Sequence, residues 1–166
     1  GLASAGAVLV GQAIGAGRKD EVPGIAWTVL VLAVAWQGFV GVVYFVAPET
    51  VMAPFAKGED AEAIRTVGVA MLLVSVAWQV FDATATTYAE ALRAAGDTQF
   101  PMYARLFIAW GVFTPGAWYS ARVLHWGATG TAAWLVVYLA LLAVACVWRF
   151  RTGRWRTIEL VEPTLE

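Results

Sequence analysis

Long runs without a single charged side chain constrain this chain more than any other feature. Residues 25–47 carry no charge, with Thr28 and Gln37 their most polar members, and residues 123–148 carry none unless His125 is protonated. Residues 66–81 and 106–121 are also uncharged and continue through mostly uncharged flanks. A soluble helix keeps one polar face, and a buried core helix rarely exceeds about 14 residues, whereas a bilayer-spanning helix needs about 20 mainly apolar ones. Lipid offers backbone groups no partner, so such stretches must be helices that satisfy their own hydrogen bonds. Composition agrees, with 60% of the 166 residues hydrophobic and 14% charged, against roughly 25% charged in an ordinary soluble domain. The expected class is an all-α integral membrane protein, a polytopic bundle of transmembrane helices in a lipid bilayer.

Five hydrophobic segments are expected, at residues 1–17, 25–47, 62–92, 100–123 and 126–148, with a tail at 149–166. The first lacks the positively charged start of a secretory signal and resembles a helix entered partway along, so an N-terminal portion is expected to be absent. The formal net charge of −1 lacks the basic footprint of a nucleic-acid binder. No catalytic constellation stands out. The single His125 has no evident Ser or Asp partner, and the lone Cys146 reads as a small buried hydrophobe. Residues 11–17 hold three glycines but lack the strand, Lys and Ser/Thr of a phosphate cradle. Neither an enzyme nor a cofactor is therefore expected.

The basic residues orient the bundle. Alternating the sides places Arg18, Lys19, Arg93, Arg105, Arg149, Arg151, Arg154 and Arg156 on one face, against Lys57, Arg65 and Arg122 on the other. The positive-inside rule makes the richer face cytoplasmic. That puts the C-terminus inside and the acidic loop of Glu49, Glu59 and Asp60 outside, as for a multi-pass inner (cytoplasmic) membrane protein. Trp27, Trp126 and Trp148 fall near helix ends, where indole rings favour the headgroup zone. Trp36, Trp78, Trp110 and Trp134 lie deeper, as packing or pocket residues.

Asp82 is the one acid deep within a segment. At a helical rise of about 1.5 Å per residue it lies roughly 25 Å from Arg65 and roughly 16 Å from Arg93. Inserting Asp at a membrane helix centre costs about 2.5–3.5 kcal/mol, and such acids usually face a bundle interior or watery cavity on an ion or proton pathway. Ser75, Gln79, Asp82, Thr86, Glu90 and Arg93 follow at helical spacing, giving a polar stripe from mid-membrane to the cytoplasmic surface, with Leu72, Val76 and Val80 opposite. A structural hydrogen-bonded seam between helices would use the same pattern. Glu90 is one turn from Arg93 and is expected to pair with it, whereas Asp82 has no basic residue within four positions. Ala3, Ala7, Gly11 and Gly15 form a small-residue ridge suited to close helix packing or to lining a lumen. Pro115, within Thr114-Pro115-Gly116, falls mid-segment and is expected to kink its helix.

Gly11-Gln12-Ala13-Ile14-Gly15-Ala16-Gly17, followed by Arg18 and Lys19, resembles the second helix of a half in the MATE family of multidrug and toxin extrusion proteins. Arg93, Gly96, Asp97 and Thr98, with Pro101 just after, resemble that family's signature at the end of the fourth helix of each half. Ala94-Ala95 departs from it, since the family often has Gly directly after the Arg. Phe81-Asp82-Ala83 looks like the NorM-type C-terminal half, whose equivalent aspartate is implicated in cation coupling. The resemblance covers nearly the whole chain and implies helices eight to twelve of a twelve-helix transporter, with the N-terminal half and the seventh helix outside it. It implies export of drugs or organic cations against inward H⁺ or Na⁺ through alternating access, with Asp82 binding the cation or proton and Ser75, Gln79 and Thr86 lining the cavity. Two alternatives remain: a flippase of lipid-linked oligosaccharides from the same wider superfamily, and a non-transporting membrane assembly subunit. A flippase would be expected to line its cavity with several basic residues.

Overall fold

The described backbone is helical apart from the turns that join its helices, as lipid demands of a chain that must satisfy itself. A computed structural model describes residues 1–56, 61–124 and 127–158. Lys57, Glu59 and Asp60 of the acidic loop, His125, Trp126 and the tail beyond Ile158 lie outside the described residues.

The first helix, α1 (Leu2–Gly15), stops because Gly17 adopts a left-handed φ of 75°. The Arg18 N–H then reaches Ala13 O at 2.8 Å and the Gly17 N–H reaches Ile14 O at 2.9 Å. This double closure satisfies carbonyls that a helix end would otherwise leave bare. A short 3₁₀ turn, Lys19–Glu21, leads into α2 (Val22–Val46), whose Pro23 falls in the first turn where no N–H is needed. A five-residue helix, α3 (Pro48–Met52), turns the chain into α4 (Ala61–Ala94). At 34 residues this helix is about 50 Å long, well beyond the roughly 30 Å of a bilayer core. It packs against α1, α2 and the last long helix, α7 (Gly127–Arg151).

The fourth apolar segment is an interrupted helix. It consists of α5 (Gln99–Ile108), a π-helical turn (Ala109–Phe113) and α6 (Thr114–Arg122). Pro115 explains the interruption. It has no N–H to donate one turn back, and its ring crowds the preceding turn, so the helix widens by one residue just before it. The Thr114 hydroxyl donates to Ala109 O at 2.9 Å and helps hold the widened turn. Among the described residues three helices are long and apolar enough to cross a membrane: Lys19–Val46, Ala61–Ala94 and Gly130–Arg151. The first segment yields a shorter apolar helix, and the fourth is split by its π turn.

The main core gathers at one end of the bundle. Val10 and Ala13 of α1, Val22 and Ala26 of α2, Ala85, Ala89 and Leu92 of α4, and Leu142, Cys146 and Phe150 of α7 pack together there. Trp155 closes that end, stacked on Phe150 at 5.3 Å, with its indole N–H donating to Phe150 O at 2.9 Å. Lys19 Nζ donates to Arg156 O at 2.8 Å, so the α1–α2 connection and the start of the tail share this face. The buried side of α1 is Gly6, Val10 and Ala13. The Ala3–Gly15 ridge is therefore not its packing seam within this chain: nothing lies within 4 Å of a Cβ added at Gly11 or Gly15. Among the deeper tryptophans, Trp110 is exposed, Trp134 packs on Gly116, and Trp36 and Trp78 line hollows.

An ion pair fastens α7 to the α4–α5 turn. Gly96, with φ of 88°, ends α4 as Gly17 ends α1: the Asp97 N–H reaches Leu92 O at 2.9 Å and the Gly96 N–H reaches Arg93 O at 3.0 Å. The turn delivers Asp97, 5% exposed, to Arg149, whose Nε donates to its Oδ2 at 2.6 Å. The Phe100 ring covers the guanidinium at 5.0 Å.

Two outcomes are expected. Replacing Asp97 by Asn leaves the half-buried Arg149 guanidinium without its counter-charge and should cost about 1–3 kcal/mol; a thermal melt of the detergent-solubilised protein reads this, and an unchanged midpoint would count against the pair. A Cβ at Gly116 would overlap the Trp134 indole, so Gly116→Ala should cost about 1–3 kcal/mol by overpacking in the same assay.

Candidate functional site

Small side chains on three helices leave a hollow at mid-height on α4. Ala33 of α2 and Ala83 of α4 keep the helices from filling it, Trp36 forms one wall, and Leu2 and Ala3 of α1 form another. The cavity measures about 560 Å³, and Gln37, Asp82, Thr86 and Thr87 bring polar groups to it. Asp82 is half-buried and makes no ion pair or hydrogen bond among the described residues. The Thr87 hydroxyl, on a residue only 2% exposed, has no hydrogen-bond partner among the described residues. Among the described residues no Lys or Arg lines the cavity. Its walls are mostly apolar, and its polar side chains are one acid, one amide and two hydroxyls. That set suits a cation, a proton or a hydrogen-bonding organic molecule.

The expected stripe is divided among three places. Asp82 and Thr86 share the first cavity. Ser75 and Gln79 face a second hollow between α2 and α4, with Tyr44, Met52 and Trp78. Leu72, expected on the opposite side, lines that second hollow too. Ser75 returns its hydroxyl to Leu72 O at 2.6 Å, and Gln79 is 6% exposed, its Oε1 unpartnered and close against Gly41. Gln37 borders both hollows. Helical spacing aligned these residues on α4, but the path of α2 across that face separates them. Farther along, Glu90 pairs with Arg93 at 3.2 Å.

The signature residues lie elsewhere. Gly11, Gln12 and Gly15 sit on α1 away from the cavity, and Gln12 is exposed. Gly96 and Asp97 build the turn that meets Arg149, while Arg93, Thr98 and Pro101 border a hollow on another flank of α4. Pro115 lies in α6, outside the cavity lining. Two cavity residues escaped the sequence reading as site residues. Gln37 had a usable signal as the strongest polar group in an uncharged stretch. Thr87 had none beside Thr86 in an Ala- and Thr-rich run.

In a protein with Cys146 replaced by Ala, Thr86→Cys should react readily with a water-soluble thiol reagent and Gln79→Cys much more slowly. Equal labelling rates would show that the two positions share one aqueous space.

Comparison with known proteins adds a family to this geometry. Residues 1–118 match the MatE family model. The multidrug resistance protein NorM of Burkholderia vietnamiensis is 32% identical over 151 residues, which cover 90% of this chain and 33% of that protein. The probable multidrug resistance protein NorM of Mesorhizobium japonicum is 29% identical over 167 residues, 99% of this chain and 35% of that protein. The corresponding protein of Burkholderia pseudomallei is 32% identical over 158 residues, 90% of this chain and 32% of its own length. The chain thus spans about a third of the length of the curated relatives it matches. No solved structure matches it.

Proposed function

This chain belongs to the MatE family, and we propose that it forms most of the C-terminal half of a multidrug exporter driven by inward H⁺ or Na⁺. In this reading Asp82 carries the coupling cation or proton, and drugs or organic cations are the cargo. One observation carries the proposal: among the described residues Asp82 makes no ion pair, and it borders a cavity of about 560 Å³ whose other polar side chains are neutral. An acid kept in a lipid-embedded bundle without a partner is expensive, and binding a cation or proton relieves that expense. Relatives named as multidrug resistance proteins support the direction of the reading.

Transport then proceeds by alternating access. In a full-length exporter of this plan the other half faces the Asp82 cavity, and rocking of the two halves exposes that cavity to one side at a time. Ion entry from outside and drug entry from the cytoplasm compete for the cavity, so release of one accompanies uptake of the other. The face with Arg18, Lys19, Arg149, Arg151, Arg154 and Arg156 is cytoplasmic in this scheme, as the positive-inside rule requires of an inner-membrane protein. A flippase of lipid-linked sugars fits less well, because the cavity offers no basic residue to a pyrophosphate.

The decisive measurement is drug–ion exchange by the full-length protein in vesicles. Asp82→Asn should reduce exchange to the background of protein-free vesicles while membrane insertion stays intact. Exchange at the parent rate would remove Asp82 from the mechanism and favour a non-transporting assembly subunit.

A further inference from the structure

On a flank of α4 away from the Asp82 cavity, a second polar feature remains without a role. Arg93 of α4 and Arg105 of α5 border one hollow of about 340 Å³, floored by Ala89, Pro101 and Leu142. Both guanidinium groups lie within electrostatic reach of Cys146 on α7, so they converge on the same part of the bundle. Arg93 is engaged through one nitrogen by Glu90 at 3.2 Å, which leaves most of its five N–H donors free. Arg105 makes no hydrogen bond or ion pair among the described residues.

The position of Arg105 matters as much as its charge. It lies six residues into α5 from Gln99, about 9 Å below the helix end. The neighbouring surface of α5 is apolar and exposed, with Met102, Leu106 and Phe107 directed outward. A lone arginine on such a surface would be costly in lipid unless it reached up to an anion at the headgroup level. A phosphate seated between Arg93 and Arg105 would meet both cations, and hydrocarbon attached to it would run along Met102 and Leu106. Basic hollows between membrane helices on the cytoplasmic side suit anionic headgroups in this way.

We infer that the α4–α5–α7 hollow is a binding site for a phosphate group, supplied by an anionic phospholipid whose acyl chains lie along α5. The site rests on the membrane fold alone and does not depend on the transport reading. Glu90 tempers it by drawing on Arg93, so Arg105 is the main ligand. Thr98 borders the hollow and offers its hydroxyl.

The test uses full-length protein in uncharged detergent, titrated with phosphatidylglycerol, with phosphatidylcholine, and with inorganic phosphate, and read by native mass spectrometry. Saturable retention of phosphatidylglycerol over phosphatidylcholine is expected, and Arg93→Gln with Arg105→Gln together should weaken it roughly tenfold or more. Arg105→Lys should keep most of the retention, and Arg154→Gln, on the same face but outside the hollow, should keep all of it. Equal retention of both lipids, or equal losses from the Arg154 and Arg105 variants, would overturn the site. Complete displacement of phosphatidylglycerol by millimolar inorganic phosphate would assign the hollow to the free anion and sink the lipid assignment. The Gln variants must melt as the parent does, which the exposed positions of both arginines favour.

Discussion

Close approach of helix backbones along the second half of α4 is the contact on which the rest of the chain depends. Between lipid-solvated helices there is no hydrophobic gain to be had, so association relies on dispersion across small side chains. Ala83, Ala85, Ala89 and Ala91 are buried on α4, Ala26 and Ala33 on α2, and Ala143 on α7. Because those side chains are single methyl groups, α1, α2 and α7 can all reach one helix. Larger residues appear where the seam ends, with Leu92, Leu142, Phe150 and Trp155 filling the space below.

That seam also explains where the hollow lies. Beneath it the bundle is closed by the Phe150–Trp155 stack and the Lys19 contact with the tail. Above it the alanines that permit close packing lower down leave space beside Asp82, since Trp36 and Gln37 do not fill the gap. One compositional device thus gives tight packing where three helices meet and a cavity where they part. The unpartnered Gln79 amide oxygen and Thr87 hydroxyl sit at that divergence.

Charge is distributed with the same economy. At the packed end Asp97 is joined to Arg149 and Glu90 to Arg93, so these two carboxylates are each held against a guanidinium. Asp82 and Arg105 make no ion pair among the described residues, and they face different surroundings: the acid borders the α1–α2–α4 cavity and the base borders the α4–α5–α7 hollow. Unpaired charge on a membrane helix needs an occupant or an aqueous outlet. Each of the two therefore marks a place where something from outside the chain is called for.

Much of this was determined by the sequence alone. Uncharged runs at residues 25–47 and 66–81 allow only helices in lipid, because backbone groups there must bond within their own segment. The motifs around Gly17 and Gly96 pointed to the family that comparison then showed. Asp82 was conspicuous because an isolated acid in an apolar run has few structural reasons to exist. Tertiary structure decided the rest. Periodicity aligns Ser75 and Gln79 with Asp82 on one helix, but it carries no information on where α2 crosses that helix, and the crossing parts them into two hollows. It could not pair Asp97 with Arg149, which are 52 positions apart, or bring Arg105 of α5 beside Arg93 of α4. Helical spacing is a property of one segment, whereas cavities and ion pairs between helices depend on packing angles that side-chain size across the whole bundle sets.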